Sequence, residues 1–372
     1  MCVILPNLDE KLATYQVTAG IASYITGVGV VTLPRVAGQQ TGTPDVWISL
    51  LLAGIISIGL GWVCAKLGQR HPGQTLFQYS QLLMGKPIGF IVNLLFVTYF
   101  LTTATYQARI DAEVIRHYLL DRTPIAFTTL CFILIAAYLV VGGINPIVRL
   151  CELLLPLTTI VIIGVMLLGI RNFHIDYFRP VLSEGVLPIL KGLKATALPF
   201  SGFESILILS AFMTVPKKAA KAVTISLLIP ALIYLTVIVI VIGNISFDTV
   251  KTLTWPTVEV IRSIEIPGAF FSNFEIMFIA VWVIQIFITC VFGLYFASLG
   301  LSLMMRTNIK HLHFFIIPFV YFLSLYPDTL GAAFKFGDFN GYMAMLLSGL
   351  IPLVLLMLSY IRGKPQGERH QE

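Results

Sequence analysis

The sequence contains few charged residues for its length. Asp, Glu, Lys and Arg make up 11% of the 372 residues, against roughly 25% in an average soluble domain, whereas hydrophobic residues make up 57%. A chain of this composition lacks the polar side chains needed to cover a water-facing surface. We therefore expect a single integral membrane domain over residues 1–372, with short cytoplasmic tails at 1–12 and 363–372.

The sequence also lacks the usual patterns of metal sites, hydrolases and nucleic-acid-binding proteins. The five cysteines form no CxxC pair and have no histidine at metal-ligand spacing. The six histidines fall in expected loops, near helix ends or in the tail, away from any nucleophile at the membrane midplane. The basic residues behind the net charge of +6 lie between apolar runs, which indicates membrane topology. We expect no enzyme activity, no metal or other cofactor and no nucleic-acid partner, and leave a coupling Na⁺ or H⁺ open.

Apolar runs long enough to cross a lipid bilayer recur through the whole chain. Spans of about 20 residues fit about ten transmembrane helices of an all-α protein, near 15–38, 45–66, 88–118, 124–142, 146–170, 188–215, 219–243, 270–305, 311–326 and 342–361. An even number of helices puts both termini on one side, and that side receives the more numerous Lys and Arg residues. We predict that both termini are cytoplasmic.

Glycines interrupt the first and the sixth predicted helices within otherwise apolar sequence. The interruptions are Thr26-Gly27-Val28-Gly29 and Phe200-Ser201-Gly202-Phe203-Glu204. They occupy corresponding positions of two five-helix halves, about 15–170 and 188–362, which predicts an inverted repeat. Glycine costs about 1 kcal/mol against alanine in a helix interior, so we expect these breaks to line a polar cavity. The alternative is that they only allow close helix packing.

A pair of broken helices is suited to bind a zwitterionic amino acid. An unwound helix exposes backbone N–H groups and the positive end of a half-helix dipole, which attract a carboxylate. The same break frees carbonyl groups that can hold an ammonium group. We predict ligand contacts at Thr26, Gly27, Val28, Gly29, Phe200, Ser201, Gly202 and Glu204.

The third and eighth helices line the pocket in the known architecture with this repeat. Side chains four residues apart share a helix face, and Tyr99 with Thr103, and Val291 with Tyr295, are such pairs near midplane depth. We predict that these four residues also contact the ligand. The alternative for each tyrosine is packing within the bundle or in an interfacial belt.

Charged residues inside the membrane call for a functional hypothesis. Glu204 directly follows the second break, and we expect it to brace the unwound segment, with proton transport as the alternative. Arg35 follows the first break towards the outside, and we expect it either to close the pocket by pairing with an acid or to reach the outer interface. The candidate acids are Asp111, Glu113, Glu275 and Asp328. Arg109 and Glu113 are one turn apart, and we expect them to pair at a solvated helix end.

Several segments resemble a known family. TYQV at 14–17, ITGVG at 25–29 and LP at 33–34 are similar to the first helix of the amino acid–polyamine–organocation transporter superfamily. DVWISLL at 45–51, PGQTL at 72–76, GKPIG at 85–89 and LPFSGFES at 198–205 resemble one branch of it, the spore germination B-subunit family of endospore germination permeases. The resemblance covers essentially the whole chain. It implies a LeuT-type 5+5 inverted repeat with broken helices 1 and 6.

The resemblance also implies a function. It implies the B subunit of a spore germinant receptor, in the inner membrane of a bacterial endospore. Such a subunit would bind a small germinant, commonly an amino acid, and act with A-type and C-type subunits. The alternatives are an ion-coupled secondary transporter of an amino acid or polyamine, a subunit that opens an ion or water path, and a structural scaffold. The sequence names neither the germinant nor the subunit stoichiometry.

Overall fold

The computed structural model describes residues 10–27, 29–264 and 274–362, which form an all-helical bundle. The α-helices are α1 (Thr14–Ile25), α2 (Gly29–Thr41), α3 (Val46–Arg70), α4 (Leu76–Met84), α5 (Lys86–Tyr118), α6 (Ile125–Val141), α7 (Ile144–Leu168), α8 (Leu187–Ala197), α9 (Ile206–Leu209), α10 (Ala219–Ile245), α11 (Phe247–Thr252), α12 (Pro256–Arg262), α13 (Phe274–Met305), α14 (Ile309–Leu325), α15 (Leu330–Met345) and α16 (Ile351–Ile361). A π-helical turn, Leu346–Leu350, joins α15 to α16.

The chain is a multi-pass membrane protein, as predicted. In the described ranges, six helices are long and apolar enough to cross a membrane, or eight if each of two bent helix pairs is one span. The bent pairs are Thr14–Ile25 with Gly29–Thr41, and Leu187–Phe200 with Phe203–Phe212. The apolar helices α6 and α14 have 17 residues each, at the short end of the length that spans a bilayer. The count of ten spans arranged as 5+5 stays a prediction.

The last helix begins earlier than the sequence predicted. Its predicted start was residue 342, whereas the helical segment begins at Leu330. Three glycines and several polar residues gave 330–341 the composition of a loop, but small residues allow this segment to pack closely. A Cβ at Gly337 would lie 2.6 Å from the Tyr106 ring, and one at Gly341 would lie 3.1 Å from Leu198. The predicted helical residues 270–273 lie outside the described part of the chain.

The long helices α5 and α13 pack along each other at the centre of the bundle. They have 33 and 32 residues, and glycines of α13 allow their close approach. A Cβ at Gly293 would lie 2.8 Å from the Phe100 carbonyl oxygen, and one at Gly300 would lie 2.6 Å from Val97 Cγ2. The broken helices lie against this central pair.

Both ends of the described chain are attached to the same face of the bundle. Leu12, expected in the N-terminal tail, is buried and its backbone N–H donates to the Phe212 carbonyl at 2.7 Å. Near the other end, Ser359 Oγ accepts from Arg70 Nε at 2.8 Å and lies 3.2 Å from His71 Nε2. Burial, and then the charge of Arg70, lower the pKa of His71. The rest of the predicted tails, residues 1–9 and 363–372, lies outside the described ranges.

Candidate functional site

The first break separates α1 from α2, which are bent by 52°. Three carbonyl groups at the break accept hydrogen bonds from side chains of distant helices: Tyr24 from Thr289 Oγ1 at 3.0 Å, Ile25 from the Tyr234 hydroxyl at 2.8 Å and Gly27 from Trp282 Nε1 at 3.0 Å. Backbone groups at membrane depth need partners of this kind when a helix is interrupted. The first break is thereby connected to α10 and α13.

The second break separates the segments Leu187–Phe200 and Phe203–Phe212, which are bent by 44°. Gly202 has a φ of +126° there, a conformation that L side chains rarely adopt. Glu204 Oε2 accepts from the Gly202 N–H at 2.8 Å, and Glu204 Oε1 accepts from the Tyr99 hydroxyl at 2.7 Å. Glu204 is buried, and these contacts are those of a side chain that braces the break.

The two breaks lie against each other. A Cβ at Gly202 would lie 2.9 Å from atoms of both Tyr24 and Ile25, and a Cβ at Gly29 would lie 2.9 Å from Pro199. The Tyr234 hydroxyl donates to the Ile25 carbonyl and also lies 3.2 Å from the Pro199 carbonyl. The glycines in both breaks are therefore needed for this close approach.

A cavity of about 410 Å³ extends from the breaks between α2, α5, α8 and α15. Its volume is in the range of small-molecule sites. It reaches the surface where Val36, Gln39 and Gln40 are exposed. The predicted site residues in its wall are Gly27, Gly29, Arg35, Tyr99, Thr103 and Ser201.

The other predicted contacts lie outside the wall of this cavity. They are Thr26, Phe200, Gly202, Glu204, Val291 and Tyr295, and Val28 lies outside the described residues. Helix α13 turns Thr289 towards the cavity. Val291 and Tyr295 follow it by two and six positions, so they point about 200° and 240° away around the helix. Their role as ligand contacts stays a prediction that this cavity does not support.

The sequence analysis missed several residues of the wall. Tyr106 and Gln107 lie on α5 one turn beyond Thr103, and extending the row from Tyr99 through Thr103 would have found them. Asn340 belongs to the segment predicted as a loop. Its Nδ2 donates to Thr103 Oγ1 at 3.0 Å, so it connects α15 to the wall of α5.

Two charged side chains line the cavity in the described ranges, Arg35 on α2 and Asp338 on α15. Arg35 forms no ion pair with any described residue. Of its predicted partners, Glu113 pairs with Arg109 at 2.7 Å, and both are buried, so the expectation of a solvated helix end is wrong. Asp111 is also buried, and its carboxyl has no hydrogen-bond partner in the described chain.

The wall can bind a small polar ligand through neutral groups. It contains hydroxyls, side-chain amides and the start of α2, whose first N–H groups have no partners within the helix. Among the residues the structure describes, no group of three or more His, Cys, Asp or Glu side chains could hold a metal ion.

Two structures of known proteins share this fold. The structure of MhsT in complex with L-phenylalanine matches with a TM-score of 0.73 at 13% identity, over 94% of this chain and 89% of that chain. Mhp1, a nucleobase-cation-symport-1 family transporter in a closed conformation with bromovinylhydantoin bound, matches with a TM-score of 0.70 at 13% identity, over 98% and 87%. The chain therefore has a LeuT-type transporter fold, as predicted.

Sequence comparison gives the family. The protein-family model described as "Spore germination protein" matches residues 11–333 of this chain. Spore germination protein YndE of Bacillus subtilis (strain 168) is 36% identical over 360 residues, 97% of this chain and 99% of the relative. Spore germination protein A2 of the same organism is 35% identical over 348 residues, 94% and 95% of the two chains. These matches show that the chain belongs to the spore germination protein family.

Proposed function

We propose that this chain is the B subunit of a spore germinant receptor and that it binds an amino acid in the cavity between the helix breaks. The observation that carries the proposal is the position of the cavity, which begins where two supported breaks meet. Family membership supports the role in germination. The fold match to a protein bound to L-phenylalanine supports the ligand class. The proposal contains no catalytic step.

Binding would act by shifting the chain between two conformations. The ligand would contact α2 and α5 together, so it favours the conformation in which these walls are closest. A full reversal from 1:99 to 99:1 requires about 5.5 kcal/mol of tighter binding to one conformation. We propose that A-type and C-type partner subunits respond to this change in the inner spore membrane, with both termini of this chain on the core side.

The proposal is tested in spores that carry cavity variants in place of the native gene. Thr103→Val removes a hydroxyl from the cavity wall, and we expect the germinant concentration for half-maximal germination to rise at least tenfold. Thr236→Val is the matched control, because the Thr236 hydroxyl is exposed and bonds only within α10. Spores should keep their response to germinants of other receptors. A normal dose response of the Thr103 variant would count against the cavity as the germinant site.

The second candidate function is ion-coupled transport of an amino acid or polyamine. The fold match to Mhp1, a transporter, favours it. Purified protein in liposomes separates the two functions when labelled amino acid and a Na⁺ or H⁺ gradient are supplied. A receptor would bind the amino acid without accumulating it, whereas a transporter would concentrate it inside the liposomes.

A further inference from the structure

The side-chain amide of Gln107 is a buried polar group of the cavity wall with unused hydrogen-bonding capacity. Gln107 lies on α5 one turn beyond Thr103 and is 7% exposed. It lines the cavity, and its Oε1 has no hydrogen-bond partner among the described residues. Buried side-chain oxygens are nearly always hydrogen-bonded. This oxygen therefore indicates a partner that the described residues do not supply.

The surroundings of Gln107 indicate which end of its side-chain amide is left for a ligand. A Cβ at Gly27 would lie 3.1 Å from Gln107 Nε2 and 2.8 Å from Thr289 Oγ1. The amide nitrogen thus packs against the first break, and the oxygen is left for a ligand. An amide oxygen only accepts hydrogen bonds, so the ligand group at this position is a donor.

Other acceptors at the breaks already have partners within the chain. The sequence suggested that freed carbonyls would hold an ammonium group, but those of Tyr24, Ile25 and Gly27 accept from Thr289, Tyr234 and Trp282. The Glu204 carboxyl accepts from Gly202 and Tyr99. Gln107 Oε1 and the Tyr24 hydroxyl are the buried side-chain groups of the described wall that have no hydrogen-bond partner.

The charge of the cavity wall suits a ligand with no net charge. Arg35 and Asp338 are the charged side chains of the described wall, and their formal charges cancel. Asp338 is exposed, so the described wall contains no buried carboxylate. A polyamine would bring several positive charges to a wall that has no buried carboxylate to neutralise them, and such desolvated charges are costly. A zwitterion has no such penalty of net charge.

We propose that Gln107 Oε1 accepts a hydrogen bond from the α-ammonium group of the ligand, so that the site selects zwitterionic amino acids over their des-amino and N-acetyl analogues and over polyamines. This inference rests on the proposed function. The Tyr24 hydroxyl lies beside those of Tyr99 and Thr103 and makes no hydrogen bond of normal geometry. Thr103 is one turn from Gln107, so the two side chains lie roughly 5–6 Å apart on the helix. The Tyr24 hydroxyl beside Thr103 is therefore close enough to donate a hydrogen bond to the carboxylate of the same ligand.

The test measures ligand binding to the purified full chain in detergent, through the shift of its thermal unfolding temperature. The probes are the twenty standard L-amino acids, then the N-acetyl, des-amino and methyl ester forms of those that bind, and spermidine. For Gln107→Leu we expect at least tenfold weaker binding of the amino acid and no remaining preference over its des-amino form. For Gln107→Glu we expect binding with at least a tenfold gain for the cationic methyl ester. Gln69→Leu is the matched control, because Gln69 bonds to Lys217 at the opposite end of the bundle.

The outcomes separate this inference from the proposed function. If no amino acid binds the wild-type chain, the proposed function fails. If an amino acid binds and Gln107→Leu keeps both affinity and preference, the role of Gln107 is wrong while the proposed function stands. The role of Gln107 would also be overturned if Asp338→Asn, and not Gln107→Leu, abolished the preference for the amino acid over its des-amino form. If Gln107→Leu does not fold, Gln107→Glu decides, and an unchanged preference between amino acid and methyl ester contradicts the inference.

Discussion

The two helix breaks differ in what supports their backbone. At the first break, the carbonyls of residues 24, 25 and 27 depend on three side chains of α10 and α13. At the second break, most support is local, because Glu204 accepts from the Gly202 N–H and Ser205 Oγ donates to the Gly202 carbonyl at 2.5 Å. Tyr99 adds one contact from α5, and the Tyr234 hydroxyl of α10 lies 3.2 Å from the Pro199 carbonyl. The surrounding bundle holds the first break, whereas the second largely holds itself.

This difference suggests how the two halves of the site move. A shift of α10 or α13 would change the hydrogen bonds of the first break directly. The second break would keep its internal bonds and move as a unit. We therefore expect the first break to respond to ligand and the second to act as a fixed platform, since a ligand shifts an equilibrium only through contacts that differ between conformations.

The largest effect is expected from Gly202→Ala, which tests the rigidity of the second break. The φ of +126° would strain an alanine by about 1–3 kcal/mol, and its Cβ would lie 2.9 Å from Tyr24 and Ile25, adding about 1–3 kcal/mol of overpacking. Thermal unfolding in detergent should show a stability loss of roughly 3–5 kcal/mol. Gly164→Ala is the matched control, because a Cβ there meets no atom within 4 Å. An unchanged unfolding temperature of the Gly202 variant would contradict the hypothesis that the second break is a rigid platform.

The next effect is expected from Glu204→Ala, which removes the brace. The Gly202 N–H and the Tyr99 hydroxyl would lose their acceptor in a buried site, and unpaired buried groups cost about 1–3 kcal/mol each. We expect a loss of about 3 kcal/mol in the same unfolding measurement, with Glu204→Gln intermediate. The control is the buried Asp111, whose carboxyl has no partner in the described residues, so Asp111→Asn should not lower stability. Equal losses for the two acids would show that burial, and not bracing, matters.

The sequence predicted the location of the breaks but not their support. Glycine within an apolar run is a local signal, and the structure has helix interruptions at both predicted places. The side chains that support the first break lie 209 to 265 residues away along the chain, and their apolar surroundings hide them. Glu204 and Tyr99 were both predicted as site residues, yet their mutual hydrogen bond depends on helix packing that one sequence does not reveal.

The wall of the cavity was predicted on α5 better than on other helices. Tyr99 and Thr103 share a face of one long, regular helix, so their spacing was sufficient. On α13 the choice between faces required knowing which one meets α1, and Thr289 was missed. On α15, Asn340 was missed because Lys335, Asp338 and three glycines lower the hydropathy of residues 330–341, a segment that is helical through packing.

A moderate effect is expected from Tyr234→Phe, which tests whether α10 supports the first break. The substitution keeps the ring against Phe200 and removes the hydroxyl that donates to the Ile25 carbonyl at 2.8 Å and makes a longer contact of 3.2 Å with the Pro199 carbonyl. Loss of one buried hydrogen bond should cost about 1–2 kcal/mol. Hydrogen exchange should show faster opening of residues around the first break than around the second. If the Tyr234 variant kept the wild-type protection from hydrogen exchange at both breaks, α10 would not be what holds the first break.

The smallest effect on stability is expected from Thr289→Val, and it is the sharpest test of which break responds to ligand. Valine keeps the shape of threonine but cannot donate to the Tyr24 carbonyl, a bond of 3.0 Å, so the loss should be about 1 kcal/mol. Ser298→Ala on the same helix is the control, because Ser298 bonds only to the Leu294 carbonyl within α13. If the first break connects ligand binding to α13, the Thr289 variant should lose more of the ligand-induced thermal shift than the Ser298 variant. Equal losses would place the response elsewhere and remove the functional difference between the two breaks.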